Sequence, residues 1–428
     1  MLVVLAYGPL LFAQMRFDQD PIHYGVGASD DPIAQLQRQL DAGETELTYD
    51  ERFGYLPSLL EHLKIPQSSQ TLVYSKTSLQ LRYIKPSNPR AIYFNDDNYI
   101  GFVRGGEVLE VMSTDPSQGE MFYTLSQDKQ ARPRFVKDRG QCLACHASPN
   151  TQWVPGALVR SVYLDHEGQP HYGAGTFLTD DTSPYEERWG GWYVTGQHGA
   201  MRHMGNVVSQ DKNAPEQLAR DKGANVSDLA DHFKTSAWPK PHSDIVALMV
   251  LSHQSQMHNS LTHANYEARM AAHYDMAMNK ALERADDYVS DSTQRRIASA
   301  GENVLRHLLL SGEAQLPAPV KGTSGFAEEY QAGGKRDAKG RSLRDLDLQT
   351  RLYTYSCSPL IYSEQFDQLP PPMKQYVVVR LHAILTGEDT SDQFAHLDAA
   401  RRQAIQEILT ETKPQLWKEL PPPEGPAE

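Results

Sequence analysis

Between residues 70 and 125, the hydrophobic positions form short runs that are separated by turn-forming residues. The runs are rich in β-branched and aromatic side chains, and the segments between them contain proline, glycine, asparagine and aspartate. Closely spaced strands with such turns predict an antiparallel meander. The expected strands cover residues 71–74, 79–84, 91–94, 99–103, 108–112 and 121–125.

A second group of strand-like runs lies at 157–164, 172–178 and 192–195. Asp165 and Gly168, between the first two runs, are residues that favour a tight turn, so these runs predict a hairpin. The strand-rich part of the chain is therefore expected to extend to about residue 206.

Helical spacing of the hydrophobic positions appears on both sides of this region. Asp31 and Pro32 supply the cap and first-turn proline of a helix that Gly43 ends, and residues 55–63 predict a second short helix. Beyond residue 206, Ser243 is expected to cap a long helix that extends to about residue 286. The other helices are expected to run from Ser292 to Ser311 and over 373–386 and 399–412.

These patterns predict an α+β protein in which an antiparallel, β-rich part is followed by a mainly helical part. This order is not that of a small all-helical fold. The expected segments are an apolar segment at 1–14, a β-rich region at 15–206, a helical region at 207–316, a connection rich in glycine, proline and basic residues at 317–344, a C-terminal helical region at 345–418 and a disordered tail at 419–428.

Charge and length narrow the partners that the chain can have. Lys and Arg number 41 against 54 Asp and Glu, a net charge of -13, which argues against nucleic acid as a partner because such binding relies on clustered basic residues. The apolar segment at 1–14 is too short to span a bilayer as a helix. Although it lacks the basic residues that usually come first, it is interpreted as a truncated or weak export signal, with an apolar first strand as the alternative. No transmembrane anchor is expected.

The chemistry of the chain is concentrated in the motif Cys142-Leu143-Ala144-Cys145-His146. Two thiols at this spacing can each bond one vinyl group of a porphyrin, and the adjacent histidine can then reach the iron. This pattern is the attachment signal for haem c. We therefore expect one covalent haem c, with Cys142 and Cys145 as attachment sites and His146 as the proximal iron ligand. Because this haem is attached outside the bacterial cytoplasm, a periplasmic or secreted location follows.

Two other uses of a Cys-x-x-Cys pair are less compatible with the sequence. A structural zinc site would need a second pair of ligands at similar spacing, which the rest of the sequence lacks. A thioredoxin-like redox pair would need a βαβ context, which the surrounding β-rich pattern does not indicate. Cys357 is the one remaining cysteine, and it is expected to be a small buried hydrophobic residue, with thiolate ligation of iron as the alternative.

The distal iron ligand would decide the type of reaction, because methionine opposite histidine favours electron transfer whereas an empty position admits a substrate or gas. The candidates are His198, His203 and Met204, which lie in a loop flanked by glycines. A further candidate is His258 in the predicted long helix. His258 belongs to an uncharged polar stripe whose other members are Gln254, Thr262 and Asn265.

The stretches Arg188–Gly196 (RWGGWYVTG) and Arg202–Asn206 (RHMGN), together with the cysteine motif, resemble those of large, single-haem, exported cytochrome-c-like proteins of environmental bacteria. The resemblance extends over most of the chain and implies haem binding and redox work without indicating a particular reaction. The di-haem cytochrome c peroxidases differ from this chain because it has only one attachment motif.

Three functions are compatible with a single haem c. The leading hypothesis is single-electron transfer in the periplasm or outside the cell, with a redox protein or a small oxidant or reductant as the partner. The alternative is a haem c oxidoreductase that acts on a small oxidant or on a sulfur or nitrogen compound at an open distal site. Length favours this alternative, because a carrier alone does not need 428 residues. A haem-based gas or redox sensor is the third hypothesis, although the sequence contains no recognisable output domain.

Overall fold

The structure is a computed structural model that describes residues 17–138 and 140–420. The apolar segment at 1–14 and most of the tail at 419–428 lie outside the described residues. The predicted α+β class is confirmed. The strands are β1 Thr71–Val73, β2 Arg90–Phe94, β3 Asn98–Val103, β4 Val108–Asp115, β5 Gly119–Ser126, β6 Phe135–Lys137, β7 Arg160–Val162, β8 Thr176–Leu178 and β9 Trp192–Tyr193.

Within the described part of the chain, one antiparallel sheet contains seven strands in the order β6-β5-β4-β3-β2-β1-β9. The predicted meander forms the middle of this sheet, because each of the strands β1 to β5 pairs with the next one along the chain. Strand β9 adds to the sheet beside β1, and β7 pairs with β8 in the separate hairpin that the sequence predicts.

The prediction of a strand at 79–84 is wrong. This segment turns instead, with a short 3-10 helix at Leu81–Tyr83. The side chain of Gln80 explains the turn, because its Oε1 accepts from the backbone N–H groups of Glu107 and Val108, and its Nε2 donates to the Val108 carbonyl. The Gln80 side chain thus provides the hydrogen-bond partners of the backbone at the start of β4, which a neighbouring strand would otherwise provide.

The two faces of the sheet have different neighbours. Successive side chains of a strand point to opposite faces. The face that carries Tyr93, Phe102 and Leu109 packs into a hydrophobic core with helices from the N-terminal part. The opposite face carries Ile92, Tyr99, Gly101, Glu110, Met112 and Phe122, and it lies towards the long helix that follows the sheet. We call this second side the inner face.

The helices are α1 Pro32–Ala42, α2 Leu56–His62, α3 Leu143–His146, α4 Ile245–Ala281, α5 Asp291–Leu308, α6 Phe326–Ala332, α7 Glu364–Asp367, α8 Pro371–Thr386 and α9 Ala399–Thr412. Helix α4 is unbroken and joins two hydrophobic cores. Its first turns, including Leu248 and Leu251, share a core with the inner face of the sheet. Its later residues, including Met257 and Leu261, pack with α5, α8 and α9. Among the described helices, none is both long and apolar enough to cross a membrane.

Three details of the helical part differ from the predictions. Asp244, and not Ser243, caps α4, because its carboxylate accepts from the N–H groups of Val246 and Ala247. Ser243 instead bonds the sheet, where its Oγ accepts from the Leu72 N–H. Helix α5 is capped by Ser290 and not by Ser292, and α6 lies within the segment 317–344 that was predicted as a connection.

A buried polar network fixes α4 against two distant segments. Nδ1 of His253 lies 2.8 Å from Oδ2 of Asp181, and Nε2 lies 2.7 Å from Oγ of Ser358. All three residues are buried. Burial alone would raise the pKa of Asp181, but His253 outweighs this effect and holds that pKa below its ordinary value. The ionised carboxylate therefore stabilises the fold.

Replacing Asp181 with asparagine should destabilise the protein by about 2 kcal/mol at pH 7, because it removes the charged acceptor of a buried hydrogen bond from His253. Because the pKa of Asp181 is lower in the folded state, its carboxylate stabilises the fold fully above the pKa of an unfolded aspartate, about 3.9. This stabilisation is lost as the pH falls through the pKa of the folded state. Urea unfolding should therefore show that the free energies of unfolding of the wild type and Asp181→Asn differ less near pH 3 than at pH 7.

The neighbouring substitution Asp180→Asn is the matched control. Asp180 accepts hydrogen bonds within its own turn through Oδ1, and asparagine retains that atom. Its cost should be under about 1 kcal/mol. Equal costs for the two variants would contradict the stabilising role of the Asp181 carboxylate.

Candidate functional site

The cysteine motif forms a single helical turn at the edge of the sheet. After β6, the carboxylate of Asp138 accepts from the backbone N–H groups of Gly140 and Cys142 at 2.8 and 3.1 Å, so the chain turns directly into α3. The N–H of His146 then donates to the Cys142 carbonyl at 2.9 Å. Cys142 and Cys145 are three residues apart on this turn, a spacing that places two side chains on the same side of a helix.

The ring of His146 is held by the backbone of Gly156. Nδ1 donates to the Gly156 carbonyl at 2.8 Å, and the Gly156 N–H donates to the His146 carbonyl at 2.9 Å. The first bond fixes the proton on Nδ1 and leaves a lone pair on Nε2, for which the described residues provide no hydrogen-bond partner. A carbonyl bonded to the second ring nitrogen is the usual support of a metal-binding histidine.

Helix α4 holds this support in place through Asn259, which sequence reasoning missed. Its side chain accepts from the N–H of Ala157 at 2.9 Å and donates to the carbonyl of the same residue at 2.8 Å. The approach is close enough that a Cβ on Gly156 would lie 2.2 Å from Oδ1 of Asn259. Glycine at 156 is therefore required for α4 to fix the segment that orients His146.

The protonation states of the motif favour an iron ligand over a redox pair. Burial lowers the pKa of His146 despite the opposing hydrogen bond to Gly156, so the imidazole is neutral at pH 7 and Nε2 can bind a metal. Burial and the nearby carboxylate of Asp138 raise the pKa of Cys142 to about 12. A thioredoxin-like cysteine needs a lowered pKa, so Cys142 lacks the activation of such a nucleophile.

A cavity of about 390 Å³ adjoins the motif, and Cys142, Cys145 and His146 all line it. This volume falls within the range of ligand pockets, roughly 300–1,000 Å³. The remaining walls come from the inner face of the sheet, the loop after β1, the segment 157–160 and α4. The apolar part of the lining includes Val73, Ile92, Met112, Phe122, Trp192 and Leu251.

Strand register explains why these distant residues meet. Met112 on β4 lies opposite Tyr99 on β3 and opposite Phe122 on β5, so the three side chains form a row across the inner face. The Phe122 ring lies 4.9 Å from the His146 ring, between centroids. In the next row, Gly101 has no side chain, and the guanidinium of Arg90 occupies the space above it.

The loop that contains His198, His203 and Met204 lies elsewhere, and none of these three residues lines the cavity. Nε2 of His203 lies 3.3 Å from Nε2 of His198, and Nδ1 of His203 accepts from the N–H of Gly205. The Met204 sulfur accepts from Oγ of Ser161 at 3.6 Å. The structure thus pairs these side chains with one another and with their surroundings, and it does not bring them to His146.

His258 is also separate from the cavity. Its Nδ1 lies 2.8 Å from Oε1 of Gln365, and its Nε2 lies 2.7 Å from the Asp96 carbonyl. Both ring nitrogens therefore have partners already. The polar stripe that includes His258 contacts two segments. Gln254 donates to the hydroxyl of Tyr99 and to the Asn95 carbonyl in the turn after β2. Thr262 accepts from Gln365 in helix α7.

Cys357 is fully buried in the helical core, which confirms its prediction as a small buried hydrophobic residue. Burial raises the pKa of its thiol. It does not line the cavity, so the arrangement gives no support to its alternative role as an iron ligand.

The chain matches no protein-family model, and neither a curated protein nor a solved structure matches it. The interpretation of the site therefore depends on its own geometry and on the cysteine motif.

Proposed function

We propose that this protein is a c-type haem redox protein that transfers single electrons. One observation carries the proposal. The two cysteines and the histidine of the attachment motif line the same cavity, and the neutral imidazole of His146 keeps Nε2 free of hydrogen-bond partners among the described residues. These are the groups and the protonation state that haem c attachment and iron ligation require.

The size of the cavity and the apolar part of its lining suit a largely apolar macrocycle. Three apolar residues of the lining are exposed, namely Leu79, Leu81 and Tyr172, which are 48%, 48% and 58% accessible. Large apolar side chains that are exposed together at a cavity commonly mark the binding site of an apolar ligand. A porphyrin in contact with them would remove this surface from water.

When bound, a haem supplies a one-electron iron couple whose potential depends on its axial ligands and surroundings. His146 would provide one axial nitrogen, held in orientation by Gly156 and Asn259. Met112 carries the only thioether in the cavity lining of the described residues. We therefore propose Met112, in place of the loop at 198–204, as the sixth iron ligand of an electron carrier.

Exchanging Met112 for leucine tests this assignment, since it conserves volume and removes the sulfur. The wild type should show a sulfur-to-iron band near the red end of its oxidised spectrum, and its reduced form should not bind carbon monoxide. Met112→Leu should lose the band, lower the potential and bind carbon monoxide. Met121→Leu is the control, because Met121 lies on the opposite face of the sheet, in the core with α1 and α2.

The second candidate function is a haem c oxidoreductase with an open distal site. It is favoured by polar side chains that line the cavity, namely those of Tyr99 and Arg90, because hydrogen-bond donors in a distal pocket help to bind and activate small molecules. Rapid binding of carbon monoxide by the reduced wild type would contradict the carrier and support this function.

A further inference from the structure

The cavity lining is cationic although the chain as a whole is acidic. Its side chains that are charged at neutral pH are Lys76, Arg90, Glu110 and Arg160, three cations and one anion. The chain has a net charge of -13. A net positive lining inside an acidic protein indicates that the cavity receives a ligand with anionic groups.

Arg90 is positioned but not fully paired. One terminal nitrogen lies 2.8 Å from Oε2 of Glu110, whose other oxygen accepts from Gln80. Nε of Arg90 is buried and has no hydrogen-bond partner within the described chain. The guanidinium lies over Gly101, where a Cβ would be 2.6 Å from that Nε. Glu110 and Gly101 thus hold the head of Arg90 in the cavity, where its side chain is 21% exposed and its second terminal nitrogen has no hydrogen bond to the described residues.

Arg160 lies at the start of β7 and also lines the cavity. Its Nε is buried and unpartnered, and none of the ion pairs found over residues 17–138 and 140–420 includes its side chain. Buried guanidinium donors without an acceptor are costly. Both of these arginines line one cavity, and a ligand with anionic acceptors would give their side chains the partners that the described residues do not provide.

We propose that Arg90 and Arg160 bind the two propionate carboxylates of the porphyrin, with Glu110 as a positioning residue for Arg90. This inference rests on the proposed haem binding and adds the groups that orient the macrocycle in the cavity. Guanidinium groups bind carboxylates through paired hydrogen bonds, which fix orientation as well as add affinity. The excess of two positive charges in the lining equals the two negative charges of the propionates.

The test compares haem with haem dimethyl ester, in which both carboxylates are blocked. The full chain is produced without haem attachment, kept reduced, and titrated with each compound in the same dilute detergent. The wild type should bind haem at least about tenfold more tightly than the diester, as expected for charge-assisted hydrogen bonds. Arg90→Gln/Arg160→Gln should reduce this preference to about twofold or less and leave diester binding unchanged.

Two further variants separate a local effect from a folding defect. Gly101→Ala should lower the preference for haem with both arginines present, because its methyl group displaces only the flexible end of Arg90. Arg82→Gln should retain the preference, because Arg82 forms an exposed ion pair with Glu107 outside the cavity lining. An unchanged preference in the double variant or in Gly101→Ala would overturn the inference.

The outcomes for the wild type distinguish this inference from the function on which it rests. Equal binding of haem and diester would overturn the role of the arginines and leave haem binding intact, whereas binding of neither compound would overturn both. A small free anion is the other source of such negative groups. Sulfite is the probe for that case. If haem and diester bind equally, and if sulfite changes the spectrum of the haem-loaded wild type but not that of the double variant, the arginines are assigned to the anion.

Discussion

Replacing His146 with alanine should leave the porphyrin attached to the chain but abolish the native absorption spectrum and shift the reduction potential. The reason is that thioether attachment and iron ligation depend on different side chains. Among the residues that the structure describes, His146 is the only histidine that lines the cavity, and Gly156 fixes its Nε2 as the nitrogen available to iron. Visible spectroscopy of the purified variant and a potentiometric titration would measure both effects.

His166→Ala is the matched control for this prediction. His166 is exposed in the turn between β7 and the next segment and does not line the cavity. Its removal should leave the spectrum and potential unchanged. A native spectrum in His146→Ala would contradict the account, because another residue would then have to occupy the proximal position.

The paired substitution Cys142→Ser/Cys145→Ser should eliminate haem that resists denaturation. Serine keeps the size and position of each side chain but cannot form a thioether. Haem staining after denaturing electrophoresis should therefore disappear from the variant, while folded protein could still retain haem through His146 and the cavity. Each single variant should keep one thioether and a fraction of the stain.

Cys357→Ala controls for the general loss of a thiol, since Cys357 is buried in the helical core away from the cavity. It should stain as strongly as the wild type. Equal staining of the paired serine variant would show that the motif does not attach the haem and would contradict the central assignment.

The fold was predictable where local pattern decides structure. Alternating and compact apolar runs located β1 to β5, and the Asp31 cap with Pro32 and Gly43 located α1. The segment 79–84 failed because its apolar residues resemble a strand, whereas the decisive contact is the side chain of Gln80 on the backbone of β4. A tertiary hydrogen bond overrode local preference there, and no periodicity in the sequence contains that information.

The site was predictable only at its cysteine motif. Cys142, Cys145 and His146 are adjacent in sequence, so the spacing alone indicates their chemistry. The cavity walls come from strands and from α4, more than a hundred residues later in the case of Leu251. Sequence could mark the histidine-rich loop as a source of ligands, but only strand register and helix packing determine that Met112 and not His203 lines the cavity of the motif.

The contacts that support the site could not be predicted from the sequence for the same reason. In the sequence, Asn259 is one polar residue of a long helix, yet its side chain forms hydrogen bonds with Ala157, 102 positions away. Arg90 and Arg160 read as ordinary strand residues until the sheet and the hairpin bring both into one cavity. Residues that meet only through the fold have no characteristic spacing in the sequence, so no motif could have indicated that Arg90 and Arg160 lie in one cavity.

The central claim, covalent attachment of one haem, is tested most directly by the intact mass of the wild-type chain under denaturing conditions. The protein should be exported in a bacterial host that attaches c-type haem, beside a known cytochrome c as a positive control. The account predicts the mass of the polypeptide plus one haem, with absorption at the haem wavelength in the same peak. The unmodified polypeptide mass, obtained while the control cytochrome carries its haem, would contradict it.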